Sequence, residues 1–536
     1  MSSDIQSSAL MEKITSLCKR RGFIFQSSDI YGGINGFWDY GPLGAELKRN
    51  LRELWWREMT REREDVVGLD ATIIMHSRVW EASGHLTTFA DPMVDCRQCK
   101  GRFRADQLPR KKEESFCPTC GARDFTEARM FNLMFKTNTG PVESDENTVY
   151  LRPETAQAIF AQFKNVLDTS RQKVPFGVCQ IGKAFRNEIN PRNYTFRSRE
   201  FEQMELEFFI RPDEAIELIH GSAESWVEGA DLSSPQPAWG WEMWHRYWVD
   251  QRTKFYHKIG LGTDVLAYHW QKKEELAHYA RATVDILFKF PFGTEELEGI
   301  AARGDFDLTQ HQKFSGKPLE FFDEELKAAA GKCDAAAKTA FGAKVAAEWV
   351  DRAVQAAQEK RGDEAEAADK ARLAAEAFCE RLFKGFYLPH VIEPSAGLDR
   401  LALAILCQAF NEEENIDEKG KKEVRTVMRF PPSVAPVKVG VFPLLKNKPE
   451  LVAKARQVYA LLKSEMTCFY DEGGSIGRRY ARQDEAGTPF CLTIDFETLG
   501  EKGPELQDTV TVRERDTAAQ ERVKIAQLRA SLQARM

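Results

Sequence analysis

The chain has 536 residues, of which 43% are hydrophobic and 29% are charged, and its formal net charge is −7. This length exceeds what one hydrophobic core can serve, so we expect about three or four domains. No run of about 18 apolar residues is present and the N-terminus lacks a signal-peptide pattern, so we expect a cytoplasmic protein without membrane contact. The acidic total does not exclude RNA as a partner, because RNA binding requires only a local basic surface.

The first predicted elements are a helix, a short strand and a second helix. Residues 4–21 have a helical pattern that Gly22 closes, and residues 23–26 follow as a strand. The second helix opens at Pro42, a residue well tolerated in a first helical turn. Its apolar residues recur close to the spacing of one helical face: Leu43, Leu47, Leu51, Leu54 and Met59. Such a face packs either on a sheet or on a second subunit.

Eleven cysteines are present. Seven are scattered through apolar or helical segments and are expected to be buried thiols, as is usual in a reducing compartment. The other four form two Cys-x-x-Cys knuckles: Cys96, Cys99, Cys117 and Cys120. Four thiolates at this spacing predict a tetrahedral zinc site, which would be structural because no coordination position stays open. The alternatives are a site without metal or two redox pairs.

A charged hairpin is predicted between residues 178 and 210. Apolar residues flank two clusters that share a polar turn at residues 190–194, and the clusters contain Arg186, Glu188, Arg197, Arg199 and Glu200. Guanidinium groups bind phosphate oxygens in a fixed geometry, so this hairpin suits a triphosphate. The alternative is a salt-bridged exposed hairpin without a ligand.

Two composition shifts follow. Tryptophan and tyrosine are concentrated at residues 239–290, where we predict core packing rather than a platform for bases. Between residues 326 and 375, 19 of the 50 residues are alanine and most others are charged, which predicts one or two exposed helices broken near Gly362.

The last hundred residues are predicted to form a separate α/β unit. Strands at 437–442, 467–470, 489–494 and 509–512 alternate with helices at 450–466 and 475–486, and a final helix is predicted from Thr517. Three basic residues crowd the second helix, and two of them are four positions apart on one face: Arg478, Arg479 and Arg482.

Three short segments, taken in their order along the chain, carry a resemblance to a known family. Residues 36–44 read Gly-Phe-Trp-Asp-Tyr-Gly-Pro-Leu-Gly, residues 185–188 read Phe-Arg-Asn-Glu, and residues 392–400 read Ile-Glu-Pro-Ser-Ala-Gly-Leu-Asp-Arg. Together with the hairpin they resemble motifs 1, 2 and 3 of the class II aminoacyl-tRNA synthetases. Leu-Arg-Pro-Glu-Thr-Ala-Gln at residues 151–157 and Glu-Pro-Ser at 393–395 most resemble the dimeric glycyl-tRNA synthetases. The resemblance covers nearly the whole chain.

The resemblance implies that glycine is activated by ATP and then transferred to tRNA(Gly). The amino-acid carboxylate attacks the α-phosphorus and pyrophosphate leaves, so positioning and charge neutralisation supply the rate without a protein nucleophile. Arg186 would hold the α-phosphate, Glu188 the adenine amino group and Arg197 the γ-phosphate. Phe201 would stack on adenine, with Arg400 on the other side of the triphosphate. The remaining ATP contacts would come from Asn187, Phe196, Glu296, Leu297 and Gly397. Glu393 and Glu296 would hold Mg²⁺, a cation that prefers oxygen ligands.

The resemblance also implies a glycine pocket. Glu154, Glu205 and Ser395 would hold the ammonium group, and converging carboxylates tolerate one another when a cation lies between them. Further contacts would come from Arg104, Phe201, Glu202, Gln203, Glu393 and Gly397, while His85 is either near the site or structural. Steric exclusion of every larger amino acid would make an editing domain unnecessary.

The expected fold is therefore α+β. A class II antiparallel-sheet catalytic domain with a four-cysteine zinc-knuckle insertion precedes a C-terminal α/β anticodon-binding domain. The predicted divisions are 1–95 with motif 1, 96–128 for the knuckles, 129–322 with motif 2, 323–380 for the alanine-rich helices, 381–430 with motif 3, and 431–536. Arg478, Arg479 and Arg482 would contact the anticodon, and the motif 1 helix would help form a homodimer.

Two other functions stay open at this point. One is a synthetase for another amino acid with the same type of C-terminal domain, such as threonine, proline or histidine. The carboxylates expected in the pocket argue against it. The other is a zinc-containing RNA-binding or regulatory protein that keeps the synthetase fold without its reaction. Such a protein would have little use for a complete set of ATP-binding residues.

Overall fold

The computed structural model describes residues 2–111, 114–277, 279–359, 361–416 and 422–536. Helices and mainly antiparallel sheets are mixed, as predicted for the α+β class, and parallel pairs occur at Val66–Gly68 and within the C-terminal sheet. In the described part of the chain, no helix combines the length and the apolar character needed to span a membrane.

The N-terminal elements wrap around the buried motif 1 helix. This helix, α2, buries six residues, among them Leu47, Leu51 and Met59 of the predicted face. Gly44 lies in its first turn, where a Cβ atom would come within 1.9 Å of the carbonyl oxygen of Phe23, so only glycine fits. The elements are α1 (Ser2–Arg21), β1 (Ile24–Gln26), β2 (Trp38–Tyr40), α2 (Pro42–Thr60), β3 (Val66–Gly68), β4 (Ile74–Met75), α3 (Ser77–Ala82) and α4 (His85–Thr88).

A small lobe of short strands carries the four knuckle cysteines. Strand β5 pairs antiparallel with both β6 and β9, and β7 pairs with β8. The cysteines lie in the turns between these strands, outside the main sheet. The strands are β5 (Ala90–Asp95), β6 (Arg102–Arg104), β7 (Arg110–Lys111), β8 (Glu114–Ser115) and β9 (Arg129–Asn132).

The central region supplies most of the main sheet, and the predicted hairpin is its longest unbroken ladder, β12 with β13. The elements are β10 (Lys136–Asn138), β11 (Thr148–Leu151), α5 (Ala156–Ser170), β12 (Phe176–Phe185), β13 (Glu200–Ile210), α6 (Asp213–His220), α7 (Trp241–Lys258), β14 (Leu266–Trp270), β15 (Ala282–Phe290), β16 (Gly293–Gly304), α8 (Phe306–Ser315) and β17 (Phe321–Phe322).

The alanine-rich segment forms three helices rather than one or two. They are α9 (Glu324–Lys332), α10 (Ala335–Glu359) and α11 (Glu364–Phe383). The predicted break near Gly362 is confirmed, and a second break separates α9 from α10 at Cys333, whose backbone is extended. Among the described residues, the small core between α10 and α11 fully buries Val345, Ala375 and Cys379. The outer part of this helix pair is mostly exposed.

The chain then completes the main sheet, whose strand order is β14-β15-β16-β19-β13-β12-β3, with β3 and β12 parallel and the other neighbours antiparallel. The added elements are β18 (Phe386–Tyr387), β19 (His390–Gly397), α12 (Leu398–Ala409), β20 (Phe410–Ile416) and β21 (Lys422–Met428). Helices α2, α7 and α12 pack on one face and bury most of the aromatic residues of 239–290, including Trp239, Trp248 and Tyr256. The prediction of core packing is confirmed for these rings, whereas Tyr268 and Trp270 on β14 are exposed.

The C-terminal unit is a five-stranded sheet in the order β23-β22-β24-β25-β26 with its own core. Its elements are β22 (Val439–Pro443), α13 (Pro449–Lys463), β23 (Cys468–Tyr470), α14 (Ile476–Ala486), β24 (Phe490–Ile494), β25 (Thr509–Glu514), β26 (Gln520–Lys524) and α15 (Leu528–Gln533). The prediction of a helix from Thr517 is wrong, because residues 520–524 pair with β25 as an edge strand. The final helix begins only at Leu528.

Candidate active site

The alternation of strand β13 determines which residues reach the site. Met204, Leu206 and Phe208 point into the core under the helices, so Phe201, Gln203 and Glu205 point to the opposite face. Strand β19 pairs with β13 so that Glu205 lies opposite Ser395 and Gln203 opposite Gly397. This register places motif 2 and motif 3 side by side on one face of the sheet.

A cavity of about 440 Å³ opens on this face. Within its lining, Arg186 and Arg400 lie beside the rings of Phe201 and Phe196, which we call the arginine end, and Glu205 and Glu393 lie close together, which we call the glutamate end. The predicted residues that line it are Glu154, Arg186, Glu188, Phe196, Arg197, Phe201, Glu202, Gln203, Glu205, Glu296, Glu393, Ser395, Gly397 and Arg400. One cavity therefore has two chemically different ends.

The arginine end suits a purine triphosphate. The guanidinium carbon of Arg186 lies 5.3 Å from the ring centroid of Phe201, and that of Arg400 lies 4.5 Å from the ring centroid of Phe196. Arg186 is oriented by a 3.0 Å hydrogen bond from Nε to the carbonyl oxygen of Pro153. Fixed guanidinium groups beside aromatic faces can bind phosphate oxygens and stack on a base.

Three glutamates at the other end are held by specific partners. Glu205 accepts hydrogen bonds from the backbone N–H and hydroxyl of Thr155 and, at 2.8 Å, from Ser395. The carboxylate of Glu154 lies 3.3 Å from Nε2 of His85. Both carboxylate oxygens of Glu393 accept from Nη1 of Arg303, each at 2.9 Å. These bonds fix the carboxylates around the cavity before any ligand binds.

The carboxylates are crowded. Oxygens of Glu205, Glu207 and Glu393 lie within 4.8 Å of one another, and all three residues are buried. Burial, followed by Glu205 and Glu154, raises the pKa of Glu393 to about 8 even though Arg303 opposes the shift. Burial and the Glu154 carboxylate raise the pKa of Glu205. This end of the cavity holds more acidic groups than Arg303 can neutralise, so it favours a small cation.

Glu154 differs from its neighbours. Burial alone would raise the pKa of this carboxyl group, but His85 and Arg303 lower it below its ordinary range. His85, left open by the sequence, is thus a neighbour of the site. The glutamate end therefore combines one carboxyl group whose pKa is lowered with neighbours whose pKa is raised.

Sequence reasoning missed the side chain that organises this end. Arg303 is buried, and besides Glu393 it binds both oxygens of Asp307, at 2.8 and 3.0 Å. It also missed Glu207, whose carboxyl oxygens have no hydrogen-bond partner among the described residues. The alternation of β13 could have identified Glu207, because it is two positions after Glu205. Arg303 had no comparable signal, since its partner Glu393 is distant in sequence.

Two predicted contacts have side chains that face away from the cavity, although Glu202 is among the residues that line it. The carboxylate of Glu202 faces the helices, where it pairs with Lys48 at 2.6 Å and with Arg52. Lys48 also pairs with Asp399 at 2.8 Å, so helices α2 and α12 and strand β13 meet at one buried ammonium group. Leu297 is the extra residue of a bulge in β16 and is buried in the core. Neither side chain reaches a ligand in the cavity.

Two further predicted residues lie outside the lining of the cavity. Arg104 pairs with Asp91 and Asp106, each at 2.7 Å, on the small lobe. Asn187 lies in the hairpin turn, where its backbone N–H donates to the carbonyl oxygen of Leu133 at 2.7 Å. Arg104 thus binds carboxylates of its own lobe and Asn187 connects the hairpin to the residue after β9, and neither lines the cavity.

The four knuckle cysteines converge as predicted. The Sγ atoms of Cys96 and Cys120 are 3.6 Å apart, as are those of Cys99 and Cys117, and all four lie within 4.8 Å of one another. Tetrahedral zinc with bonds of about 2.3 Å places sulfur atoms about 3.8 Å apart. The arrangement fits zinc.

The basic helix α14 is only partly available to a ligand. Arg478 is exposed, whereas Arg482 pairs with Asp471 at 2.5 Å and keeps about a third of its side chain exposed. Arg479 is fully buried and donates to the carbonyl oxygens of Pro443, Glu472 and Gly474. The prediction that Arg479 contacts the anticodon is therefore wrong, because its guanidinium group binds the domain's own backbone.

Comparisons with known proteins agree with this architecture. Residues 135–228 match the family described as tRNA synthetase class II core domain (G, H, P, S and T), and residues 438–535 match the anticodon binding domain family. The chain is 43% identical over 519 residues to the glycine–tRNA ligase of Treponema denticola, covering 97% of this chain and 95% of that protein. It is 43% identical to the glycine–tRNA ligase of Thermobifida fusca, over 99% of this chain and 98% of that one. The corresponding values for Rhodopirellula baltica are 41%, 98% and 99%.

The matched cores contain motif 2 and the anticodon unit, and the full-length relatives share one name. The chain belongs to the glycine–tRNA ligase family of class II aminoacyl-tRNA synthetases.

Proposed function

We propose that this chain activates glycine with ATP and transfers it to the 3′ end of tRNA(Gly), and that the cavity on the main sheet is where both steps occur. The observation that carries this proposal is the division of one cavity into an arginine end and a glutamate end. The arginine end suits the triphosphate of ATP. The glutamate end suits glycine, which has no side chain and is recognised through its ammonium group. The carboxylate of glycine and the α-phosphate of ATP would react where the two ends of the cavity meet.

At the arginine end, Arg186 positions the α-phosphate and the attacking carboxylate, and Arg197 binds the γ-phosphate. Phe201 stacks on adenine and Arg400 lies on the opposite side of the triphosphate. Glu188 accepts a hydrogen bond from the adenine amino group. These groups act by positioning and by neutralising charge that develops as pyrophosphate leaves, which requires no protein nucleophile.

At the glutamate end, Glu154, Glu205 and Ser395 bind the ammonium group of glycine. Glu393 lies beside this ammonium site, and both of its oxygens already accept hydrogen bonds from Arg303. That engagement makes Glu393 a poor inner ligand for Mg²⁺. Glu296 is half exposed beside Arg400 and is the better candidate for the magnesium ion that accompanies ATP.

Several partners belong to this proposal. The Cys96, Cys99, Cys117 and Cys120 site binds structural zinc, and Arg478 with Arg482 contributes to recognition of the tRNA anticodon. We propose a homodimer, supported by the exposed apolar side chains of Ile30, Tyr31 and Ile34 in the segment leading into motif 1. Because tRNA charging serves translation, we place the protein in the cytoplasm.

The test is ATP–pyrophosphate exchange on the purified protein with each of the twenty amino acids, followed by charging of tRNA(Gly). Exchange with glycine alone is expected. Exchange with another amino acid would contradict the pocket, and exchange with none would contradict the enzymatic function while leaving the fold intact.

A further inference from the structure

The connection between β14 and β15 forms one wall of the cavity. Gln271, Glu275, Ala277 and Tyr279 all line it. The connection is held at both ends: Nε2 of Gln271 donates to Asp285 at 2.9 Å, and the backbone N–H of Arg281 donates to the carbonyl oxygen of Ala302 at 2.7 Å. A wall held this way by the sheet can position a side chain over the site.

Among the described residues of this wall, Tyr279 is the large side chain that lies at the glutamate end. Its ring centroid lies 3.9 Å from the guanidinium carbon of Arg303, close enough for a cation–π contact. Burial raises the pKa of its hydroxyl above the ordinary range, and so do Glu393 and Glu154. The ring is therefore a neutral phenol among the groups proposed to bind the ammonium group.

The floor of the cavity at this end is built from small residues. Gly299 lies opposite Ser395 in the sheet, and Ala301 lies opposite Glu393. Both line the cavity. Small floor residues leave space beside the carboxylates, and an amino acid larger than glycine could use that space unless another side chain filled it. Tyr279 is the bulky group in position to do so.

We propose that Tyr279 is a specificity-determining residue, whose ring on Arg303 fills the space that the side chain of a larger amino acid would occupy. This inference rests on the proposed function, because it concerns the glycine end of the same cavity. The ring acts sterically, and its stacking on Arg303 holds it in place. The hydroxyl is not required for this role.

The experiment compares Tyr279→Ala with Tyr279→Phe in ATP–pyrophosphate exchange, using glycine and alanine as substrates. In Tyr279→Ala the ratio of kcat/KM for glycine to that for alanine is expected to fall by about tenfold or more, since a methyl group is the feature being excluded. Tyr279→Phe keeps the ring and should stay within about threefold of the wild type. The KM for ATP should be unchanged in both.

Tyr268→Ala is the matched control. Tyr268 is a half-exposed tyrosine on the adjoining strand β14, and its hydroxyl contacts Thr253 on helix α7, away from the cavity. Its removal should leave the glycine-to-alanine ratio unaltered.

Two outcomes would overturn the inference: an unchanged glycine-to-alanine ratio in folded Tyr279→Ala, including an equal loss of kcat/KM for both substrates, or the same change of the ratio in Tyr279→Phe. If Tyr279→Ala does not fold, Tyr279→Leu takes its place and should lower the ratio partially. Absence of glycine exchange in the wild type would instead reject the proposed function, so the two failures can be distinguished.

Discussion

Replacing Glu205 with glutamine tests the glutamate end most directly. Glu205 is buried, with one oxygen accepting from Thr155 and the other from Ser395. In Glu205→Gln the amide oxygen can keep the Thr155 bonds, and the Ser395 hydroxyl can rotate to accept from the new NH₂ group. The substitution therefore removes a charge at nearly constant shape.

The expected cost follows from the interaction that is lost. A hydrogen bond to a charged group contributes about 1.5 to 3 kcal/mol, which corresponds to a loss of roughly 10- to 150-fold in kcat/KM for glycine. The KM for ATP should change little, because the arginine end is untouched. Steady-state ATP–pyrophosphate exchange at varied glycine and ATP concentrations measures both quantities.

Glu200→Gln provides the control. Glu200 is on the same strand, partly exposed and paired with Lys183 at 2.6 Å, so its neutralisation should leave the kinetics unaltered. A folded Glu205→Gln protein whose kcat/KM for glycine remained within about twofold of the wild type would refute the assignment of the ammonium site.

Three further predictions concern other parts of the molecule. Arg478→Glu should lower tRNA charging by about tenfold while amino-acid activation persists, and comparable charging by the variant would exclude an anticodon contact. The purified protein should contain about one zinc ion per chain, measured by mass spectrometry, and Cys120→Ser should lose the metal and lower the thermal midpoint. Because the pKa of Glu393 is raised to about 8, its protonated form predominates below that pH and a cation must displace the proton. The KM for glycine should thus fall as pH rises toward about 8 and then level off, while a flat profile would contradict the role of Glu393.

Sequence reasoning located the parts of the site that depend on local order. The β12–β13 hairpin follows from its alternating apolar residues and its polar turn, and the register of β13 with β19 brings Glu205 beside Ser395 as the motifs implied. The sequence did not show which way individual side chains of these strands point. Glu202 lies next to two cavity residues but faces Lys48, and Leu297 faces the core because a bulge shifts it.

The sequence also did not indicate which residues pair with partners that are distant along the chain. Arg303 and Glu393 are 90 positions apart, and the paired strands β16 and β19 bring them together. Arg479 illustrates the opposite error. It has the same charge as Arg478 and Arg482, but helical geometry turns it inward onto carbonyl oxygens. The charge pattern predicted a basic helix, but whether each arginine can contact a ligand depends on its burial.

The alanine-rich helix pair has a practical consequence for laboratory work on this enzyme. Its buried residues lie toward the base, where Val345 packs with Ala375 and Cys379, while the turn between α10 and α11 is exposed around residues 361–363. Exposed turns far from a core accept inserted residues with little loss of stability. A fluorophore or affinity tag placed there would lie outside the main sheet and the C-terminal unit, next to the ion pair of Glu359 with Lys273 on the β14–β15 connection.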